Sequence, residues 1–124
     1  MHNYVSRAFY HVESDENVPE GRHQLGFEFE VTGKPDFANG KGSTGIAKLF
    51  IDGKLVGQLD VPMTNPLSFG LTGLTCGAAY GAPVTPDYQT PFEFTGQIHN
   101  VTVDVSGQLI EDKEAEMRIA MARQ

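Results

Sequence analysis

Apolar residues recur at every second position along much of the chain. In "LGFEFEV", residues 25–31, Leu25, Phe27, Phe29 and Val31 fall on one side, and Gly26, Glu28 and Glu30 on the other. A period of two belongs to a half-buried strand, whose side chains alternate between two faces. Upstream, "NYVSRAFYHVES" (3–14) is rich in aromatic and β-branched residues and reads as another strand. "NVPEGRH" (17–23) is the turn between them, with Pro19 and Gly21 as breakers. The Gly-rich "TGKPDFANGKGSTG" (32–45) predicts a long, mobile loop.

"GIAKLFIDGKLVGQLDV" (45–61) predicts a hairpin. Its inward residues are Ala47, Leu49, Leu55, Gly57, Leu59 and Val61, all odd-numbered. A two-residue loop at Asp52-Gly53 pairs odd with even positions and mixes the faces. The alternation therefore predicts a three-residue loop, Ile51-Asp52-Gly53, with Gly53 left-handed. "PLSFGL" (66–71) reads as a short strand and "FEFTGQIHNVTVDV" (92–105) as a long one. The apolar set of the latter switches from even (Phe92, Phe94, Ile98) to odd (Val101, Val103, Val105), which a β-bulge near His99-Asn100 reconciles. Residues 110–124 predict a C-terminal helix. Asp112 caps it, Glu114 and Glu116 come early, Arg118 and Arg123 late, and Met117, Ala120 and Met121 form a narrow apolar stripe. Strands, long loops and one helix at the end predict a single all-β domain over 1–124, an antiparallel β-sandwich with a short C-terminal helix.

Composition narrows the function classes. The formal charge of −7, with nine scattered Lys and Arg, opposes binding to nucleic acid, whose phosphates need a basic surface. No apolar run is long enough to span a membrane. The first residues lack the basic-then-apolar pattern of a secretory leader, so the default expectation is cytoplasmic. One cysteine, Cys76, excludes an internal disulfide. His2, His11, His23 and His99 have no metal-ligand spacing with one another or with Cys76, and no cofactor motif stands out.

Five elements in order resemble the C-terminal domain of bacterial arylsulfatases. They are the "EF" strand in "PEGRHQLGFEFE", the "GKG" loop, the hairpin "LFIDGKLVG", the "PVTPDY" loop and the strand "FEFTGQIHNVTVDV", spread over residues 18–107. The resemblance implies a concanavalin-A-like or laminin-G-like sandwich of jelly-roll type, of which this chain is the latter part. The family's domain continues upstream of residue 1. It further implies a non-catalytic accessory module that packs on an adjoining sulfatase catalytic domain or pairs with a second copy as a homodimer.

The same resemblance frames Cys76. Sulfatases convert a Cys or Ser within Cys-x-Pro/Ala-x-Arg to formylglycine. Here the run is Cys76-Gly77-Ala78-Ala79-Tyr80, with tyrosine where the arginine belongs, and no paired aspartates supply the family's calcium site. Cys76 therefore reads as a small, partly buried structural residue of a linking loop. In "PDFANGKGS", Asp36 and Asn39 offer too few oxygens for calcium, which takes six to eight. "NGKGSTG" lacks the GK[ST] of a phosphate loop. Glu28 and Glu30 share a face, as hydrolase carboxylates do, but equally as any solvated strand face does. The alternative function is carbohydrate binding, including sulfated glycans. Tyr80, Tyr88 and Phe92 offer rings, and Asp87 and Gln89 offer hydrogen-bonding groups, within one short stretch. The plainer reading has those rings close the end of the domain.

Overall fold

The computed structural model describes residues 1–66, 73–107 and 121. The described chain is all-β apart from one 3-10 turn and the helical Met121, and every strand pair is antiparallel. The strands are β1 (His2–Tyr4), β2 (Ala8–Tyr10), β3 (Leu25–Val31), β4 (Gly45–Ile51), β5 (Lys54–Val61), β6 (Ala78–Ala79) and β7 (Phe92–Glu93). They form three small sheets: β1-β2, β3-β4-β5 and β6-β7.

The three-stranded sheet is the frame. Leu25 pairs with Ile51, Phe27 with Leu49, Phe29 with Ala47 and Val31 with Gly45, so the odd residues of β3 and β4 share one face. On the far side, Ala47 pairs with Leu59 and Gly45 with Val61, which extends that face across β5. The loop between β4 and β5 differs from the three-residue expectation. Ile51 pairs with Lys54, leaving only Asp52 and Gly53 in the turn. Their φ angles of 49° and 80° are both left-handed, as a type I′ hairpin turn requires. The mixing of faces that this loop causes is undone three residues later. Phe50 pairs with Leu55 but Leu49 with Gly57, so Val56 is an extra residue in the ladder. The bulge exchanges two neighbours: Leu55, expected inward, is 47% exposed, whereas Val56 is 2% exposed.

Residues 3–14 form no single strand. The chain turns back at Val5 and Ser6, with φ of 42° and 60°, and β1 pairs with β2 from His2↔Tyr10 to Tyr4↔Ala8. The rings of His2 and Tyr10 stack at 6.1 Å and 9°. This hairpin faces the odd side of the large sheet across a cleft of about 250 Å³, lined in part by His2, Tyr10, Phe27, Phe29 and Val61. Among the described residues the buried apolar side chains are Ala47, Ile51, Val56 and Val61, a small core. The loop 32–45 is held by its own hydrogen bonds. Asp36 accepts from the backbone and side-chain nitrogens of Asn39, Gly40 closes the 3-10 turn Phe37–Asn39, and Asp36 bridges to Lys41. Tyr4 Oη donates to the Gly40 carbonyl at 2.7 Å, which fastens the loop to the first hairpin.

The long strand expected over 92–105 is confined to Phe92–Glu93. Residues 94–106 have no regular structure and are exposed, so a bulge at His99-Asn100 has no ladder to interrupt. An extended run keeps its ladder only where a neighbouring strand supplies partners, and alternation alone does not. The strand expected over 66–71 lies outside the described residues except for Pro66. The helix expected over 110–124 does so too, except for Met121, which is helical and exposed.

Candidate functional site

The residues singled out for ligand binding fall in one unit, the β6–β7 pair and its connecting loop. Gly77, at φ 84°, turns the chain into β6, and its carbonyl accepts from Phe94 N at 2.8 Å. Ala78 pairs with Glu93 and Ala79 with Phe92. One bond ties the loop to the first hairpin and two brace it internally. Asn3 Nδ2 donates to the Val84 carbonyl at 2.9 Å, Val84 N donates to Tyr88 Oη at 3.0 Å, and Asp87 N donates to Oγ1 of buried Thr85 at 3.3 Å.

Tyr88 and Phe92 come together, with ring centroids 5.2 Å apart and tilted by 58°. Phe92 remains 57% exposed, and Asp87 and Gln89 are exposed on the same loop. Tyr80 does not join them. Phe92 shares a face of the hairpin with its partner Ala79, whereas the next residue, Tyr80, belongs to the face of Glu93. Its hydroxyl donates to Glu93 Oε1 there, at 3.4 Å. The site therefore offers one tilted ring pair beside Asp87 and Gln89, and a separate tyrosine on the reverse side. A tilted pair with an exposed ring can stack on the apolar face of a sugar while neighbouring polar groups take its hydroxyls.

The two carboxylates of β3 have a structural partner. Glu28 and Glu30 flank Lys48, whose ammonium lies 3.9 Å from Glu28 Oε1 and donates to Glu30 Oε2 at 2.6 Å. The hydrogen bond to Glu30 raises the lysine's pKa above its ordinary value, with smaller help from both carboxylate charges. The two glutamates are thus one side of an ion-pair cluster. Cys76, expected to be partly buried, is instead an exposed free thiol in the loop that precedes β6. Among the described residues no three or more His, Cys, Asp or Glu gather as a metal site.

One cluster escaped the sequence reading. His23 Nδ1 lies 2.6 Å from Asp52 Oδ2, while Asp52 Oδ1 accepts from Gln24 N at 2.9 Å and Asp52 N donates to the Gln24 carbonyl at 2.8 Å. The hydrogen bond with Asp52 is the main cause of a raised His23 pKa. The Gln24 amide, followed by His23, holds the Asp52 carboxyl below its ordinary value. The signal lay in the register: once Leu25 faces Ile51, the residues just before Leu25 face the turn at Asp52.

Set against family models, curated proteins and solved structures, the chain matches none.

Proposed function

We propose that this chain is a non-catalytic accessory module that works by packing, the part of its apolar face that the first hairpin leaves open lying against a second copy of itself. The observation that carries the reading is the odd face of β3. Phe27 is 68% exposed, Leu25 and Val31 on the same strand are also exposed, and among the described strands β3 is an edge of its sheet. Val101, Val103 and Val105, in the irregular segment after β7, are exposed as well. Contiguous apolar surface beside an open strand edge is costly in water and marks an interaction site. The ordered resemblance to the arylsulfatase C-terminal domain supports the accessory role, and Tyr80 in place of the motif arginine supports the absence of sulfatase chemistry. In this proposal the β3-β4-β5 sheet is one layer of a concanavalin-A-like sandwich. Its support is the antiparallel order and the first hairpin lying over part of the sheet's apolar face.

Light scattering at micromolar concentration tests it. The expected mass is about twice the 13.5 kDa of the chain. A single-chain mass that persists at high concentration overturns self-association and leaves an adjoining catalytic domain as the packing partner.

A second reading, carbohydrate binding, rests on the Tyr88–Phe92 ring pair beside Asp87 and Gln89. Calorimetric titration with sulfated oligosaccharides tests it, and no heat of binding at millimolar sugar removes it.

A further inference from the structure

The segment between the first hairpin and β3 is strapped to the β4–β5 hairpin at several points. Asp15 N donates to the Val56 carbonyl at 2.8 Å, Lys54 Nζ reaches both carboxylate oxygens of Glu16 at 3.0 and 3.1 Å, and Gln24 exchanges two hydrogen bonds with Asp52. The remaining point, His23, is of a different kind because both of its ring nitrogens face acceptors. Nδ1 is 2.6 Å from the Asp52 carboxylate and Nε2 is 3.2 Å from the Glu20 carbonyl. A neutral imidazole carries one N–H, so it can serve only one of them, and the imidazolium alone satisfies both.

From this geometry we propose that His23 is a proton-operated clasp, which holds the Glu20–His23 loop closed on the tip of the β4–β5 hairpin when protonated and releases the Glu20 end when neutral. Among the described residues Asp52, from the hairpin turn, is the charged group that acts on the ring, and the ring's own loop contributes the Glu20 carbonyl. The shorter bond to a charged acceptor keeps its proton, so the proton leaves from Nε2. The Glu20 carbonyl then faces a lone pair, and the turn through Gly21 loses its tie. Asp52 does not move with it, because the two Gln24 bonds and the type I′ turn hold it independently.

The direction follows from linkage. His23 has a raised pKa in the folded chain, so its contribution is complete below the ordinary histidine value and disappears as pH rises through the folded value. Asp52 has a lowered pKa, so the carboxylate half is complete above the ordinary aspartate value and is lost as pH falls through its folded value. The clasp is closed between those limits.

Nitrogen-15 NMR of the imidazoles, with backbone amide relaxation at residues 20–23 measured across the same pH range, tests the proposal. Both His23 nitrogens should carry protons below its midpoint. Order parameters at residues 20–22 should fall above it, from the rigid range of about 0.85 to below about 0.6. Asp52→Asn keeps a side chain suited to a left-handed turn and an acceptor for Gln24, but removes the charge. It should lower the midpoint, and His23→Gln should make the order parameters independent of pH. A midpoint unchanged in Asp52→Asn overturns the proposal. So do order parameters that stay flat through the His23 titration of the parent protein.

Discussion

The backbone carbonyl of Glu13 rests directly on Gly57. A β-carbon at residue 57 would overlap the Glu13 carbonyl oxygen and sit 3.2 Å from its carbonyl carbon and 3.3 Å from Val12 Cγ2. The strap over 12–16 therefore depends on a missing side chain in β5. Because backbone, unlike the end of a flexible side chain, cannot swing aside, Gly57→Ala must push the strap off. It also strains the neighbouring hydrogen bond from Asp15 to Val56. The expected loss is about 1–3 kcal/mol, the usual range for overpacking, read as a lowered urea midpoint with an unchanged slope.

Gly53 tests the hairpin turn by a different mechanism. Nothing lies within 4 Å of a β-carbon built there, so any cost of a side chain is conformational and arises from φ of 80°. Gly53→Val should destabilise by about 1 kcal/mol or more, since a β-branched residue resists positive φ. Gly53→Asn should cost less, because asparagine tolerates the left-handed region. Equal melting of the valine and asparagine variants would show that the turn does not need that conformation.

These two glycines also mark what the sequence discloses. The apolar alternation of Leu25–Val31 and its match across 45–49 and 57–61 placed the sheet and its buried face, because a period of two is a direct image of strand geometry. The turn was read one residue too long because an unmarked bulge at Val56 restores the parity that the two-residue loop breaks. Val5 and Ser6 turn the chain with no Gly or Pro, and the turn's one sequence signal is Asn3, whose Oδ1 accepts from Ser6 N at 2.6 Å, so propensity favours a strand where there is a hairpin. At the candidate site, Tyr88 and Phe92 stand four apart and meet, but the separation of Tyr80 from them depends on which residue pairs with Ala79. That register comes from hydrogen bonding between strands and leaves no local pattern in the sequence.

The accessory reading predicts an unmodified thiol. Cys76 is exposed and its run ends at Tyr80, where conversion to formylglycine calls for arginine. Intact-mass spectrometry of protein co-expressed with a formylglycine-generating enzyme should show an unconverted cysteine, and the protein should leave an aryl sulfate chromogen intact. A formylglycine mass at residue 76 would reverse the non-catalytic reading.

If sugars bind, the two faces of the β6–β7 hairpin should respond differently. Phe92→Ala removes the exposed ring of the tilted pair and should cost about 1 kcal/mol or more of affinity, the scale of an aromatic contact. Tyr80→Ala, on the Glu93 face, should leave affinity unchanged. Equal losses in titrations of both variants would mean that one ligand spans both faces and that the ring pair is not the centre of the site.

Self-association through the β3 face makes opposite demands on one residue before and after assembly. In the isolated chain Phe27 is 68% exposed, so a polar substitution removes little burial and should change the stability of the monomer by no more than about 0.5 kcal/mol. In a dimer that covers this face, Phe27→Asp places a carboxylate in an apolar contact. It should cost at least about 2 kcal/mol, roughly thirtyfold in Kd. Salt supplies an independent signature. Two chains that each carry a formal charge of −7 repel one another, and added salt screens that repulsion without weakening apolar contact. Sedimentation equilibrium should therefore show dimerisation of the parent protein strengthening from low to physiological salt, with Phe27→Asp remaining a single chain in both conditions. A dimer that persists in Phe27→Asp, or one that weakens as salt is added, would place the contact on another surface and make it electrostatic in origin.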